Sequence, residues 1–138
     1  MFRHTYELRV RYSESDRMGT FYNSRLLEWM EVARSELTRA AGIPYAEWEA
    51  QGLLAPVVEA WLRFTGRAGY DDLLRLETTC SREGLARIRF ETRIVQAESG
   101  LPVAEGYTIH ALVNGEGKPL RIPGWITDWL NGDKQNEQ

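Results

Sequence analysis

The chain is nearly without cysteine, histidine and lysine. A single cysteine, Cys80, excludes an internal disulfide, and His4 and His110 stand alone, with no second ligand residue at metal-binding spacing. Two lysines against fifteen arginines, in 138 residues of net charge -3, leave no basic stripe of the kind a phosphate backbone needs. Nucleic acid is therefore not an expected partner. No apolar run approaches the length that crosses a bilayer, and no positively charged apolar leader opens the chain, so we expect a cytoplasmic protein with no membrane partner. What is present is 43% hydrophobic side chains, enough for one domain with a sizeable core. We expect that domain to span 1–131 and residues 132–138, GDKQNEQ, to form a polar tail.

Residues 5 to 12, TYELRVRY, alternate so that Tyr6, Leu8, Val10 and Tyr12 share one face, the period of a half-buried strand. After a loop, Leu26, Met30, Ala33, Leu37 and Ala40 recur every three or four residues, which predicts a helix from about Ser24 to Ala41, capped by Asn23 or Ser24 and ended at Gly42. Pro44 suits the start of a short covering helix, YAEWEAQ. Four further strand patterns follow: APVVEAWLRFTG, LLRLETTCSRE, ARIRFETRIVQAE and VAEGYTIHALVNG. The turns between the last three are short, so they predict an antiparallel meander. Pro123 ends the last strand, and GWITDWL makes one closing helical turn.

One long helix covers one face of such a sheet, which leaves the other to be met by something else. The strand after Pro56 carries Val57 and Trp61 on one side and Val58, Leu62 and Phe64 on the other, as expected if it lies between the helix and a second subunit or continues a sheet across a dimer.

Asp16 precedes Gly19 by three residues and stands just ahead of the long helix; without further context it reads as an ordinary loop acid. The surrounding segment RVRYSESDRMGTFYNSRLLEWMEVARSELTRAAG, however, resembles the signature of the 4-hydroxybenzoyl-CoA thioesterase group of the hotdog-fold superfamily, with Asp16, Gly19, Tyr22, Asn23, Glu31 and Arg34 at the matching places. PVVEAWLRFTGRAGYDDLLRLET and RIPGW are similar to later parts of that pattern, so the resemblance spans about residues 5 to 126. It implies an α+β hotdog fold: a long central helix wrapped by a curved five-stranded antiparallel sheet, paired into a homodimer or homotetramer with sites between subunits. It also implies an acyl-CoA substrate and no cofactor, coenzyme A being part of that substrate. Relatives often carry histidine where Asn23 stands and tyrosine where Leu26 stands, so no imidazole proton carrier is available and the chemistry leans on Asp16.

On this reading Asp16 is general base or nucleophile, and amides around Tyr22, Asn23 and Ser24 at the helix start polarise the thioester carbonyl. Gly19 permits a turn that other residues resist. Glu59, an acid on an apolar strand, is a candidate second carboxylate from a neighbouring subunit. Phe21, Tyr22, Leu26 and Trp61 are expected to line the acyl pocket. Arg63, Arg67, Arg87 and Arg89 are candidates for the coenzyme A phosphates. Glu31 and Arg34 are spaced for a helix-surface ion pair, Cys80 for a buried small hydrophobe, and His110 for a core or interface position. Alternatives are a non-catalytic acyl-thioester binding protein and, with only His4 and His110 to serve an Asp–His pair, an enoyl-thioester hydratase.

Overall fold

Alternating and helical apolar patterns become one antiparallel sheet packed on one long helix. The structure, a computed structural model, describes residues 1–131, so the tail expected over 132–138 lies outside the described residues. In chain order the elements are β1 (Phe2–Arg9), a 3-10 turn (Tyr12–Glu14), α1 (Arg25–Ala40), α2 (Tyr45–Ala50), β2 (Val57–Phe64), β3 (Leu73–Glu83), β4 (Arg87–Gln96), β5 (Pro102–Ala111) and α3 (Gly124–Asn131). The sheet order is β1-β3-β4-β5-β2, with every neighbouring pair antiparallel. This is the α+β hotdog architecture that the resemblance implied.

Register decides which side chains meet α1. Leu74, Leu76 and Cys80 of β3 lie opposite Gln96, Ile94 and Phe90 of β4, and Ile94, Phe90 and Ile88 lie opposite Ala104, Thr108 and His110 of β5. The apolar members of this inner face pack with Leu26, Trp29, Met30, Ala33 and Leu37 of α1 in two clusters of buried residues. The buried hydroxyls of Thr78 and Thr92 face each other across strands at 3.3 Å. Cys80 is wholly buried, and burial pushes its thiol pKa up. The outer face alternates charge instead: Glu77 accepts from Arg75 and Arg93, each at 3.1 Å, and Glu91 from Arg89 at 2.6 Å. Among the described residues, no helix is long and apolar enough to cross a membrane.

Several local expectations shift. Tyr12 is exposed, because the chain leaves β1 after Arg9 and enters a turn in which the Glu14 carboxylate accepts the Arg11 N–H at 2.7 Å. The start of α1 carries no side-chain cap; the Asn23 backbone carbonyl accepts from Leu26 N instead. The short helix α2 is more than a cover, since its Trp48 is 1% exposed and meets Trp125 and Trp129 of α3 edge-on. That packing is also why GWITDWL extends into the eight-residue α3 rather than one turn. Finally, β2 is an edge strand in the single chain: Val57, Val58, Trp61 and Phe64 are all exposed.

Candidate active site

The loop between β1 and α1 is held by its own backbone. An isolated antiparallel bridge joins Ser15 to Phe21, Asp16 N donates to Thr20 O at 2.7 Å, and Gly19 N closes the turn onto Asp16 O at 3.1 Å. Gly19 has φ +79°, a left-handed conformation in which a Cβ is strained. Within this turn the half-buried Asp16 presents Oδ1 to the N–H groups of Met18 at 2.8 Å and Thr20 at 3.4 Å. Its Oδ2 has no partner among the described residues.

A second segment clamps the loop from the side. Thr20 Oγ1 accepts from Ala68 N at 3.3 Å, and the Arg67 guanidinium donates to the Met18 carbonyl. Gly69 lies so close that an added Cβ would sit 2.5 Å from the Gly19 carbonyl oxygen. Gly69→Ala is therefore expected to destabilise the protein by about 1–3 kcal/mol in urea unfolding, as overpacking does; an unchanged midpoint would show that the two segments are free to separate.

Glu14, which the sequence reading passed over, anchors the base of the loop. It is 4% exposed, yet Arg11 N, Arg11 Nη2 and Trp29 Nε1 all donate to its carboxylate, the last at 3.1 Å. Burial alone would raise its pKa, but these donors outweigh burial and hold it below the usual value. Its backbone carbonyl in turn accepts from Tyr22 N at 3.2 Å. Of the three amides expected to polarise a carbonyl, Tyr22's is thus occupied. Those of Asn23 and Ser24 have no acceptor among the described residues.

The other expected site residues scatter. Tyr22 is half exposed, whereas Leu26 is wholly buried in the core beneath α1, shut away from any ligand in this conformation. Phe21 is buried against Trp29 and stands 6.0 Å from the ring of Phe64, so it helps dock the end of β2 onto the loop. Trp61 turns to the outer face and stacks on Tyr107 at 5.8 Å. It does not face Leu26. Glu59 accepts from the Tyr107 hydroxyl at 2.8 Å, five residues and about 16 Å along β2 from Phe64, which separates it from Asp16 of the same chain.

The four arginines divide in the same way. Arg67 borders the Asp16 loop. Arg63 faces Glu105 at 3.8 Å, and Arg89 is taken up by Glu91 and by the Tyr107 ring, whose centroid lies 3.8 Å from its Cζ. Arg87 opens β4, about 30 Å of strand from Gln96, which donates to Arg67 O beside the loop. Trp61 and Arg89 instead help line an open trough of about 590 Å³ on the outer face. His110 is 2% exposed with both ring nitrogens bonded, to Thr108 Oγ1 and to Ala55 O, each at 2.8 Å. It makes no Asp–His pair with Asp16 of the same chain. Among the described residues no cluster of three His, Cys, Asp or Glu is arranged to hold a metal.

The site's chemistry is therefore one carboxylate in a rigid turn, two unoccupied amides at a helix start and one adjoining guanidinium. The profile of the Thioesterase-like superfamily matches residues 10–130 of the chain. Acyl-CoA thioesterase YbgC of Haemophilus influenzae is 31% identical over 121 residues, covering 86% of this chain and 88% of its own. The crystal structure of a DHNA-CoA thioesterase from Staphylococcus aureus superposes with a TM-score of 0.83 at 27% identity, over 94% of this chain and 87% of that one. A 1,4-dihydroxy-2-naphthoyl-CoA thioesterase from Synechocystis shares the fold, with a TM-score of 0.86 at 23% identity over 93% of this chain and 95% of that one.

Proposed function

Because the chain belongs to the thioesterase-like superfamily, we propose that it hydrolyses acyl-CoA thioesters, with Asp16 starting the reaction. The observation that carries the reading is the Asp16 turn itself: Oδ1 is fixed by two amides while Oδ2 is unengaged, on the same loop that ends in the open N–H groups of Asn23 and Ser24. Those amides, at the positive end of α1, would take the thioester carbonyl oxygen as it gains charge. Asp16 then either attacks the carbonyl carbon, expelling coenzyme A as thiolate and leaving a mixed anhydride for water to open, or removes a proton from the attacking water. A thiolate leaves readily, so the scheme needs neither a strong acid nor a cofactor. Arg67, already at the loop, is the arginine best placed to add a phosphate contact.

A second copy of the chain fits this reading. Two exposed β2 edges pairing antiparallel would cover Val57, Val58 and Phe64, and would bring the Val57 end of one β2 to the Phe64 end of the other, where the Asp16 loop docks. Light scattering is expected to give a dimer or a multiple of it.

The test is a panel of aliphatic and aromatic acyl-CoA esters assayed for released thiol. At least one ester is expected to turn over. A protein that binds these esters yet releases no thiol from any of them is a binding protein instead.

A further inference from the structure

Gln96 reaches from the sheet to the segment that clamps the Asp16 turn. It closes β4, and its backbone is pinned in the β4–β5 turn: Gln96 N donates to Leu101 O at 2.9 Å, and its carbonyl accepts from Gly100 N at 2.8 Å. The half-buried side chain therefore leaves from a fixed base. Its Nε2 donates twice, to the Arg67 carbonyl at 3.0 Å and to Asp72 Oδ2 at 3.1 Å. A carbonyl and a carboxylate can only accept, so the amide nitrogen and not the amide oxygen must face them, and both of its hydrogens are used.

Among the described residues, backbone pairing to other segments holds only the ends of the clamp. At one end Thr65 N and Gly66 N both donate to Val103 O, at 3.0 and 2.9 Å. At the other, Asp71 N donates to Val10 O and Val10 N to Asp72 O, each at 2.9 Å. Between these anchors lie the residues that touch the turn: Arg67 on the Met18 carbonyl, Ala68 on Thr20 Oγ1, and Gly69 against the Gly19 carbonyl oxygen. Asp72 Oδ2 also accepts from Gly69 N at 2.9 Å. The Gln96 amide and the Asp72 carboxylate thus fix the middle of the segment at two points, Arg67 O and Gly69 N.

We propose that Gln96 is a positioning residue for Asp16: it holds residues 66–72 against the 16–20 turn, and so keeps the Asp16 carboxylate in a fixed place relative to the Asn23 and Ser24 amides. It does this without touching Asp16. Removing the amide leaves Arg67 O and Asp72 Oδ2 to bond to water, which is no fixed support, and a reacting group misplaced by an ångström can cost about a hundredfold in rate. The kinetic side of the proposal rests on the hydrolytic reading; the rigidity of the turn does not.

Two variants of the full-length protein test it. Gln96→Leu deletes the donor, and Gln96→Glu keeps the size while presenting an acceptor to two acceptors. Hydrogen exchange followed by NMR is expected to run roughly tenfold faster in both at the amides of Asp16, Met18 and Ala68, which bond within the turn and the clamp, and to be unchanged at Leu76 and Thr78 in the centre of β3. Unchanged exchange at the turn overturns the proposal. So does faster exchange throughout the sheet, since Gln96 would then serve the fold at large. With an ester that the thiol-release panel identifies, kcat is expected to fall roughly tenfold to a hundredfold with KM unchanged. A loosened turn with wild-type kcat overturns the proposal, as does a rise in KM at constant kcat. Should the wild type hydrolyse no ester, the hydrolytic reading fails by itself, and exchange at the turn still decides whether Gln96 holds Asp16 in place.

Discussion

Asp16→Asn is expected to lower kcat for thioester hydrolysis by roughly a hundredfold to ten-thousandfold, the range in which a positioned general base acts, while the urea midpoint stays near that of the wild type. The expectation of an intact fold follows from the loop. An asparagine keeps the Oδ1 acceptor that Met18 N and Thr20 N use, and it keeps the side chain's shape. What it removes is the negative charge on the unengaged oxygen, so neither attack on carbon nor proton removal from water remains. KM should change little, because the lost interaction belongs to the transition state. An undiminished kcat would show that another group starts the reaction. A single turnover in water enriched with heavy oxygen separates the two routes open to Asp16 when water opens the mixed anhydride at its aspartyl carbonyl: the label then enters Asp16 and the acid leaves unlabelled, whereas direct attack of water labels the released acid at once.

The second large effect is on acid stability. His110 Nδ1 faces the Ala55 carbonyl and so must carry the hydrogen, which makes Nε2 the acceptor for the Thr108 hydroxyl; the folded site holds a neutral ring. Burial lowers the His110 pKa from 6.5 to about 4, with Arg34 adding to the shift and the Ala55 bond opposing it. The unfolded chain therefore binds a proton that the folded chain refuses between those two values. Stability is full above pH 6.5, falls as pH drops towards 4, and loses about 3 kcal/mol over that span. Urea unfolding from pH 8 to pH 4, compared with His110→Gln, isolates this contribution; equal slopes would mean that the ring is not the group responsible. His4, also lowered by burial, adds in the same direction and remains in the variant. Glu14 contributes only below its ordinary 4.5, where its depressed carboxylate begins to lose its advantage over the unfolded chain.

The fold was readable where contacts are close in sequence. The spacing of Leu26, Met30, Ala33 and Leu37 determines one face of α1, and the alternation from Ala86 to Ile94 determines β4, because each pattern records a single surface being buried. The position of β2 was not readable in that way. Its mixed apolar sequence is compatible with a central strand, yet the sheet order places it at an edge beside β5, a pairing between segments some fifty residues apart. Trp48 was underestimated for the same reason, since its neighbours Trp125 and Trp129 lie at the far end of the chain.

The candidate site divides along the same line. Asp16 and Gly19 carry their turn within a few residues, so the local sequence suffices to place them. Glu14 was passed over because its decisive donor, Trp29 Nε1, arrives fifteen residues later. A lone acid two positions before the candidate carboxylate, with a tryptophan on the inner face of the following helix, was the available signal. Arg34 was misread because i,i+3 spacing permits an ion pair with Glu31 without requiring one: among the described residues the two form none, whereas Arg25 and Glu28 do.

The burial of Cys80 bears on how the enzyme can be assayed. Disulfide dyes that count liberated coenzyme A respond to any reachable sulfur. With its only sulfhydryl sealed under the sheet, the intact polypeptide stays silent in such a reaction, and colour reports product alone. Slow appearance of one equivalent of protein sulfur would time the opening of the interior, turning the same reagent into a clock for unfolding.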